Sequence, residues 1–432
     1  MKDLDISKIK SIYFIGIGGI GMSAIARMFL LEGKKISGSD LTQSMVTNEI
    51  EKFGVNIYYK QEAVNISADT DLVVYTPAIP DNNPELMRAR ELCIPTFSYP
   101  EMLGIISKEK YTIAVSGTHG KTTTTAMIAK VMIDAGLAPT VIVGSFLKDQ
   151  KSNFVAGNSK YFVVEACEYK RSFLNLYPNI LVITNIDEDH LDYYKDIEDI
   201  QSAFKELATR LGKEGHLVCS PSDKNLSSVV NCLDCILEDF SVFDPLSKIT
   251  LAGEHNKKNA RAVLAVAKIL GIDEEKAVAS LNSFGGTWRR FEYKGKTKGG
   301  AVVYDDYAHH PTEIKATLSQ ASEMFPNKNI TVVFQPHLYS RTKDLLDDFA
   351  QSFKGANSVL LAPIYAAREP FDPSISSEIL AQKISGLDAI KAKSYENFEQ
   401  ILTELSFLDE NNVLIVMGAG DVGAIAERTV SI

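Results

Sequence analysis

The sequence has 432 residues, of which 45% are hydrophobic and 23% charged, and its formal net charge is −10. At about 150 residues per domain, this length predicts about three domains, and the ordinary globular composition excludes both a single small fold and extended disorder. The negative charge argues against a nucleic-acid partner, which would need a broad basic surface. The small and odd number of cysteines, 5, indicates a reducing compartment, so we expect a cytoplasmic protein. No apolar stretch reaches the roughly 18 residues that cross a bilayer, so we expect no membrane partner.

Short β-branched runs alternate with helical stretches along most of the chain, which is typical of α/β proteins with parallel sheets. Strands are predicted at Ser11–Ile15, Lys35–Gly38, Leu72–Tyr75, Thr112–Val115, Tyr161–Glu165, Ile180–Thr184, Val302–Asp305, Thr331–Phe334, Val359–Ala362 and Val413–Met417. A polar segment at 107–110 and a Gly/Lys-rich segment at 294–300 indicate seams; the second is either a hairpin turn or a linker. We therefore expect domains over residues 1–107, 108–291 and 292–432.

The first predicted strand leads into a glycine loop, Gly16-Ile17-Gly18-Gly19-Ile20-Gly21, at the start of a helix. Asp40 follows at the end of the next predicted strand. Such a loop lets the backbone approach a pyrophosphate at a helix N-terminus, and the acid can accept a ribose hydroxyl. The pattern predicts a bound nucleotide diphosphate. It leaves open whether this is NAD, as in a dehydrogenase, or a nucleotide sugar.

A second glycine loop, Ser116-Gly117-Thr118-His119-Gly120-Lys121-Thr122-Thr123, follows the strand at 112–115 and has a Gly-Lys-Thr core. Lys121 would reach the terminal phosphates of a nucleotide, and the Thr122 hydroxyl would bind Mg²⁺. Val115 stands where the standard P-loop has its first glycine, so the loop is a variant of that motif. Two such loops predict an enzyme that uses ATP to activate a substrate that itself carries phosphate groups. A hydride transferase would have no use for the second loop.

Polar residues at the ends of later strands would complete an ATP–magnesium site. Glu165 ends one predicted strand, and His190 follows the next. Asn256 and Asn259 fall on one helix face, where amides can recognise an adenine edge. Arg290 would bring a guanidinium to a transferring phosphoryl group.

Together these motifs resemble the Mur ligases of bacterial cell-wall synthesis. The resemblance spans nearly the whole chain and rests on GIGGIGMSAIA (16–26), SD (39–40), SGTHGKTTTT (116–125), TNIDEDH (184–190), GEHNKKNA (253–260), RRFE (289–292), YDDYAHHPTE (304–313), FQPHLYSRT (334–342) and GAGD (418–421). It implies a Rossmann-like N-terminal domain for a UDP-sugar, a central P-loop ATPase-like domain for ATP and Mg²⁺, and a Rossmann-like C-terminal domain for the amino acid. The implied reaction joins L-alanine to the lactyl carboxylate of UDP-N-acetylmuramate through an acyl phosphate.

The resemblance also implies roles for individual residues. Those expected to face the UDP moiety are Gly18, Gly19, Gly21 and Asp40. Those expected to bind ATP are Gly117, Thr118, His119, Gly120, Lys121, Thr122, Thr123, Asn256, Asn259 and Asp306. The expected metal ligands are Thr122, Glu165 and His190. Catalytic roles fall to Lys121, His190, Arg290 and His309, the last as a candidate base for the amine, and His337 and Arg341 are expected near the incoming alanine.

The chain departs from the family pattern at two places. Cys167 replaces an acidic residue in the segment after Glu165, which makes Glu168 a competing metal ligand, and Leu338 replaces an arginine beside His337. Three other readings stay open: a recycling ligase that uses a ready-made tripeptide, an NAD-dependent dehydrogenase, and an ATP-binding regulator without catalytic activity. We expect a monomer or a weak homodimer.

Overall fold

The computed structural model describes residues 4–148, 152–191, 193–231, 233–243, 248–367, 369–387 and 390–430. The described residues form two compact units. The first takes those within 1–245 and 260–285, and the second takes those within 246–259 and 286–432.

The strands of the first unit lie in two sheets, and the ranges are β1 (Ser11–Ile15), β2 (Lys35–Ser39), β3 (Asn56–Tyr58), β4 (Leu72–Tyr75), β5 (Thr96–Ser98), β6 (Tyr111–Ser116), β7 (Thr140–Leu147), β8 (Ser152–Val155), β9 (Tyr161–Glu165), β10 (Ile180–Ile183), β11 (His216–Cys219) and β12 (Ile236–Asp239). One sheet has the order β3-β2-β1-β4-β5 with parallel pairs throughout. The other has the order β12-β11-β10-β6-β9-β7-β8 and is parallel except for the pairing of β7 with β8.

The helices that cover these sheets are α1 (Ile20–Leu31), α2 (Met45–Glu51), α3 (Pro84–Glu91), α4 (Tyr99–Glu109), α5 (Lys121–Asp134), α6 (Ile197–Ala208), α7 (Ser227–Val230), α8 (Glu254–Ile269) and α9 (Glu274–Asn282). Because helices lie on the faces of a parallel sheet, its central strands are apolar along their whole length. In β6 the run 113–115 is fully buried, as is the run 162–164 in β9. α8 begins in the second unit and continues into the first from Ala260 onward.

The second unit contains one sheet, formed by β13 (Glu292–Lys296), β14 (Val302–Asp306), β15 (Asn329–Phe334), β16 (Ser358–Leu361), β17 (Lys391–Ser394) and β18 (Asn412–Met417). Its order is β13-β14-β18-β15-β16-β17, and only β13 runs antiparallel to its neighbour. The helices of this unit are α10 (Pro311–Met324), α11 (Tyr339–Asp344), α12 (Leu346–Ser352), α13 (Ser377–Leu387), α14 (Phe398–Leu405) and α15 (Gly423–Val430).

The α/β prediction is confirmed, and every strand predicted from the sequence is present to within two residues at each end. The Gly/Lys-rich segment is a hairpin turn and not a linker, because β13 and β14 pair across it. None of the described helices combines the length and the apolar character that a membrane span needs.

Candidate active site

The second glycine loop joins β6 to α5 at the carboxyl edge of its sheet. Gly120 caps α5 with a φ of 83°, a left-handed conformation that glycine adopts without strain. The helix begins at Lys121, and Thr122 is buried in its first turn. The loop therefore places backbone N–H groups and the positive end of a helix dipole at one point, an arrangement that favours a phosphate chain.

The Lys121 ammonium is held by the loop itself and by one carboxylate. It donates to the carbonyl oxygens of Gly117 and Thr118, at 2.5 and 3.0 Å, and to Oε1 of Glu168 at 2.8 Å. Burial alone would lower the pKa of Lys121, but the charges of Glu168 and Glu165 outweigh burial and raise it. Lys121 is therefore a fixed positive charge at the mouth of the loop.

Glu165, at the end of β9, connects the glycine loop to β7. Its Oε1 accepts a hydrogen bond from the Thr122 hydroxyl at 3.1 Å, and its Oε2 accepts one from the N–H of Gly144 at 2.9 Å. A hydroxyl and a carboxylate so close together supply the hard oxygen ligands that Mg²⁺ prefers, so these residues fit the ion. Glu168 is buried and paired with Lys121, whereas Glu165 is only partly buried. The geometry favours Glu165 over Glu168 as a ligand.

His190 lies beside the Lys121–Glu168 pair. Its Nε2 is 4.0 Å from Oε1 of Glu168, and its ring is 4.8 Å from the ring of Tyr169. The backbone of His190 is left-handed, with a φ of 56°, which is uncommon for a residue with a Cβ atom and is typical of functional turns.

Asn185, which lies in the TNIDEDH motif but was given no role, fixes the glycine loop from the end of β10. Its Oδ1 accepts from the N–H of His119 and its Nδ2 donates to the carbonyl of the same residue, both at 2.9 Å. The Asn185 carbonyl also accepts from the N–H of Thr118 at 3.0 Å. The signal that would have found it is its place at a strand end next to β6.

The first glycine loop joins β1 to α1, and Asp40 follows the neighbouring strand β2. Oδ2 of Asp40 accepts a hydrogen bond from the N–H of Gly18 at 2.8 Å, while Oδ1 makes only a longer contact, 3.3 Å, with the N–H of Thr42. Asp40 and Gly18, both predicted to bind a diphosphate, are thus in direct contact, and Asp40 stabilises the loop.

The β7–β8 hairpin contacts the first glycine loop, so both loops belong to one packed body. Nδ2 of Asn153 donates to the carbonyl of Ile20, the first residue of α1, and lies 3.2 Å from the hydroxyl of Ser23. Arg27, further along α1, donates to the hydroxyl of Ser152 at 3.1 Å. The strand pair that holds Gly144 against Glu165 therefore also supports the start of α1, through residues of β8.

In the second unit, the two consecutive arginines have different surroundings. Arg289 is buried, with its Nε 3.0 Å from Asp305, and it donates to the carbonyls of Gly418 and Gly420 at 2.7 and 3.1 Å. Arg290 is partly exposed and lies over the ring of Tyr307, 5.3 Å from its centroid. Arg289 is therefore held within the fold, whereas Arg290 is nearer to solvent and has Oε1 of Glu313 3.7 Å from its Nη1.

Asp306 ends β14 and is almost fully buried. Its two oxygens accept from the N–H groups of Phe291 and Ala308, both at 2.7 Å. Burial raises the pKa of Asp306 to about 6, against the opposing charge of Arg290. This carboxyl therefore changes charge close to neutral pH.

His309 stands next to the histidine of the following strand end. Its Nδ1 is 2.9 Å from the carbonyl oxygen of Tyr307, and its ring centroid is 5.8 Å from that of His337. Since a carbonyl oxygen can only accept, Nδ1 is the donor in this contact, and Oε2 of Glu313 lies 3.3 Å from the same nitrogen. His337 in turn has its Nδ1 3.2 Å from Nη1 of Arg341.

Two further residues support this histidine–arginine pair, and both lie outside the motifs. The ring of Tyr365 stacks on His337 with an angle of 14° and a centroid distance of 5.7 Å. Glu369 accepts from the N–H groups of Tyr339 and Ser340 at 2.6 and 3.1 Å, at the start of α11, which carries Arg341.

The asparagines predicted to face adenine lie on the first turns of α8. Asn256 donates to the carbonyl of Ala252 at 2.9 Å, and Asn259 is buried. Burial, together with the charge of Arg290, lowers the pKa of His255, which directly precedes Asn256 and is therefore neutral at physiological pH.

Comparison with protein families identifies the class. The chain matches the Mur ligase family, catalytic domain, over residues 11–111, the Mur ligase middle domain over 115–243, and the Mur ligase, glutamate ligase domain over 289–420. Because these matches cover most of its length, the chain belongs to the Mur ligase family.

Individual relatives are similar over nearly their whole length. The UDP-N-acetylmuramate–L-alanine ligase of Clostridium kluyveri is 44% identical over 98% of both chains, and that of Clostridium novyi is 45% identical over 97% of this chain and 96% of the relative. Among solved structures, the UDP-N-acetylmuramate–alanine ligase MurC of Thermotoga maritima superposes with a TM-score of 0.80 at 30% identity over 98% of each chain.

Proposed function

We propose that this protein joins L-alanine to the lactyl carboxylate of UDP-N-acetylmuramate, with ATP as the energy source. The observation that carries the choice of substrates is 44% identity, over 98% of both chains, to a relative named for this reaction. The two glycine loops support it, because the reaction needs one site for a UDP-sugar and another for ATP. Attack of the carboxylate on the γ-phosphate gives an acyl phosphate and ADP, and the amine of alanine then displaces phosphate.

The phosphoryl step brings a carboxylate to a polyanion, so its barrier depends on how well negative charge is neutralised. Lys121 supplies a fixed ammonium at the loop, and we assign Arg290 to the transferred phosphoryl group. Mg²⁺ would be held by Thr122 and Glu165, with His190 as a ligand of a second ion, and when bound it neutralises charge on the phosphate oxygens.

The amide-forming step requires a neutral amine. We assign its proton to Nε2 of His309, because Nδ1 of that ring already carries a proton toward Tyr307. His337 and Arg341 are proposed to bind the alanine carboxylate end, with the arginine held to the histidine ring at 3.2 Å.

We assign Gly18, Gly19, Gly21 and Asp40 to the UDP moiety, Gly117–Thr123 with Asn256, Asn259 and Asp306 to ATP, and the boundaries after residues 107 and 291 to the three domains. We further propose that the protein works in the cytoplasm, as a monomer or weak homodimer.

The decisive experiment measures phosphate release with UDP-N-acetylmuramate, ATP and Mg²⁺ while the amino component is varied. We expect turnover with L-alanine and little with the tripeptide L-Ala-γ-D-Glu-meso-diaminopimelate. Preference for the tripeptide would show that the protein is a recycling ligase. Binding of NADH, without ATP consumption that depends on an amino acid, would indicate a dehydrogenase instead.

A further inference from the structure

Tyr99 lies where the first glycine loop meets the residues around the second, and no sequence motif includes it. It is the first residue of α4, whose start is fixed because Glu101 accepts hydrogen bonds from the N–H and the hydroxyl of Ser98 at 2.7 and 2.6 Å. A Cβ atom added to Gly21 would overlap the Tyr99 hydroxyl and lie 2.7 Å from its Cε2. The hydroxyl end of the ring therefore rests directly on the first glycine loop.

Helix α4, which begins at Tyr99, also packs against the segment that follows Glu165, the proposed metal ligand, and Glu168, the partner of Lys121. A Cβ atom added to Gly104 of α4 would lie 2.5 Å from the carbonyl oxygen of Asn175, in the 3₁₀ segment Tyr169–Asn175 that comes immediately after Glu168. The position of Tyr99 is thus fixed relative to both glycine loops within one unit.

The hydroxyl of Tyr99 is available as a donor. A tyrosine phenol has an ordinary pKa of about 10, so this hydroxyl carries its proton at neutral pH. The side chain is only partly buried, and within the described ranges no residue accepts a hydrogen bond from this hydroxyl. A hydroxyl that lies on the first glycine loop and donates to no described residue is suited to bind an anionic group of a ligand.

We propose that Tyr99 is a substrate-contacting residue, whose hydroxyl donates a hydrogen bond to the lactyl carboxylate of the UDP-sugar beside the first glycine loop. The inference rests on the proposed function, since that reaction requires a carboxylate to extend from the UDP-sugar loop toward the ATP loop. It also explains why a glycine is needed at position 21 apart from the approach of a phosphate, because a side chain there would displace the Tyr99 ring.

The test compares the wild type with Tyr99→Phe, which keeps the ring on Gly21 and removes only the hydroxyl. Calorimetric binding is measured for UDP-N-acetylmuramate and for UDP-N-acetylglucosamine, which lacks the lactyl group. A hydrogen bond to a charged group corresponds to about a 10- to 100-fold loss of affinity, and we expect it for UDP-N-acetylmuramate alone. Tyr111→Phe is the matched control, because Tyr111 packs edge-on against Tyr161 at the opposite end of β6 from the second glycine loop.

Two outcomes would overturn the proposal: unchanged affinity of Tyr99→Phe for UDP-N-acetylmuramate, or an equal loss for both sugars, which would show a role in loop packing only. Binding is measured without ATP or alanine. A wild type that binds UDP-N-acetylmuramate yet releases no phosphate with alanine would refute the proposed function while leaving this test valid.

Discussion

Oε1 of Glu168 lies 2.8 Å from the Lys121 ammonium, and the two side chains are 3% and 14% exposed. The lysine of the ATP loop is thus neutralised by a carboxylate of the protein itself. Because Lys121 also donates to two loop carbonyls, its position is set by the fold before any nucleotide binds. Glu168 is thus engaged by the lysine, which supports the proposal that Glu165 and Thr122 are the metal ligands.

Substitution of Lys121 by Met should abolish catalysis without loss of UDP-sugar binding. Removal of a preorganised charge at a phosphoryl site costs at least about 100-fold in kcat, which phosphate release measures. The buried Glu168 carboxylate is then left unpaired, at a cost on the order of 3–5 kcal/mol. Lys121→Met/Glu168→Gln should recover melting temperature but not activity. If calorimetry showed that Lys121→Met also loses affinity for UDP-N-acetylmuramate, the assignment of the UDP-sugar and ATP to separate loops would be contradicted.

The two glutamates should differ in their effect on metal dependence. Glu165→Gln is expected to raise the Mg²⁺ concentration for half-maximal activity by at least about tenfold, since even outer-shell partners of metal ligands cost 10–100-fold. Glu168→Gln should lower kcat through Lys121 and leave the Mg²⁺ requirement nearly unchanged. Oε2 of Glu168 is buried without a hydrogen-bond partner among the described residues, so this oxygen could also bind a metal. If Glu168→Gln alone raised the Mg²⁺ requirement, Glu168 and not Glu165 would be the ligand.

Asp306 should give the protein a pH-dependent stability. Its pKa of about 6 lies above the ordinary value of 3.8, so between these values the folded state holds a proton that the unfolded state releases. The contribution of Asp306 to stability is therefore full below about pH 4 and is lost as pH rises through 6, by about 3 kcal/mol at 1.4 kcal/mol per pKa unit.

Thermal melts of the wild type and Asp306→Asn across this range measure the effect. We expect the variant to gain stability relative to the wild type as pH rises from 4 to 7, because an amide cannot ionise. A difference that is constant with pH would show that Asp306 does not titrate in this window.

Glu369 should control alanine affinity through the helix that carries Arg341. In Glu369→Gln the charged acceptor for the N–H groups of Tyr339 and Ser340 is lost, and such bonds contribute about 1.5–3 kcal/mol. We expect KM for alanine to rise about tenfold, with KM for ATP unchanged. Glu378→Gln, an exposed carboxylate on α13 that accepts from Gln382, is the control. Equal rises in both KM values would point to general loosening instead.

Much of the fold could be predicted because central parallel strands are continuous apolar runs. β6 and β9 could be recognised from sequence alone, as could the glycine loop that follows β6. Short edge strands such as β3 (Asn56–Tyr58) and β5 (Thr96–Ser98) were missed, since three residues carry too little pattern and their strand character comes from pairing with a neighbour.

The site shows the same limit. Motif residues such as Lys121 and Glu165 lie at strand or helix ends, where the sequence pattern places them. Tyr99 and Glu369 act on residues distant in the sequence: Tyr99 contacts Gly21, and Glu369 bonds to Ser340, 29 positions away. Such pairings depend on tertiary packing, which local spacing does not encode, so only the structure could supply them.

Since α8 starts in one unit and ends in the other, no single contiguous fragment reproduces the second unit. A piece that begins at residue 292 would lack the turn of helix that contains Asn256 and Asn259, as well as Arg290. A fragment cut at that position would therefore separate residues that the fold keeps in one compact unit.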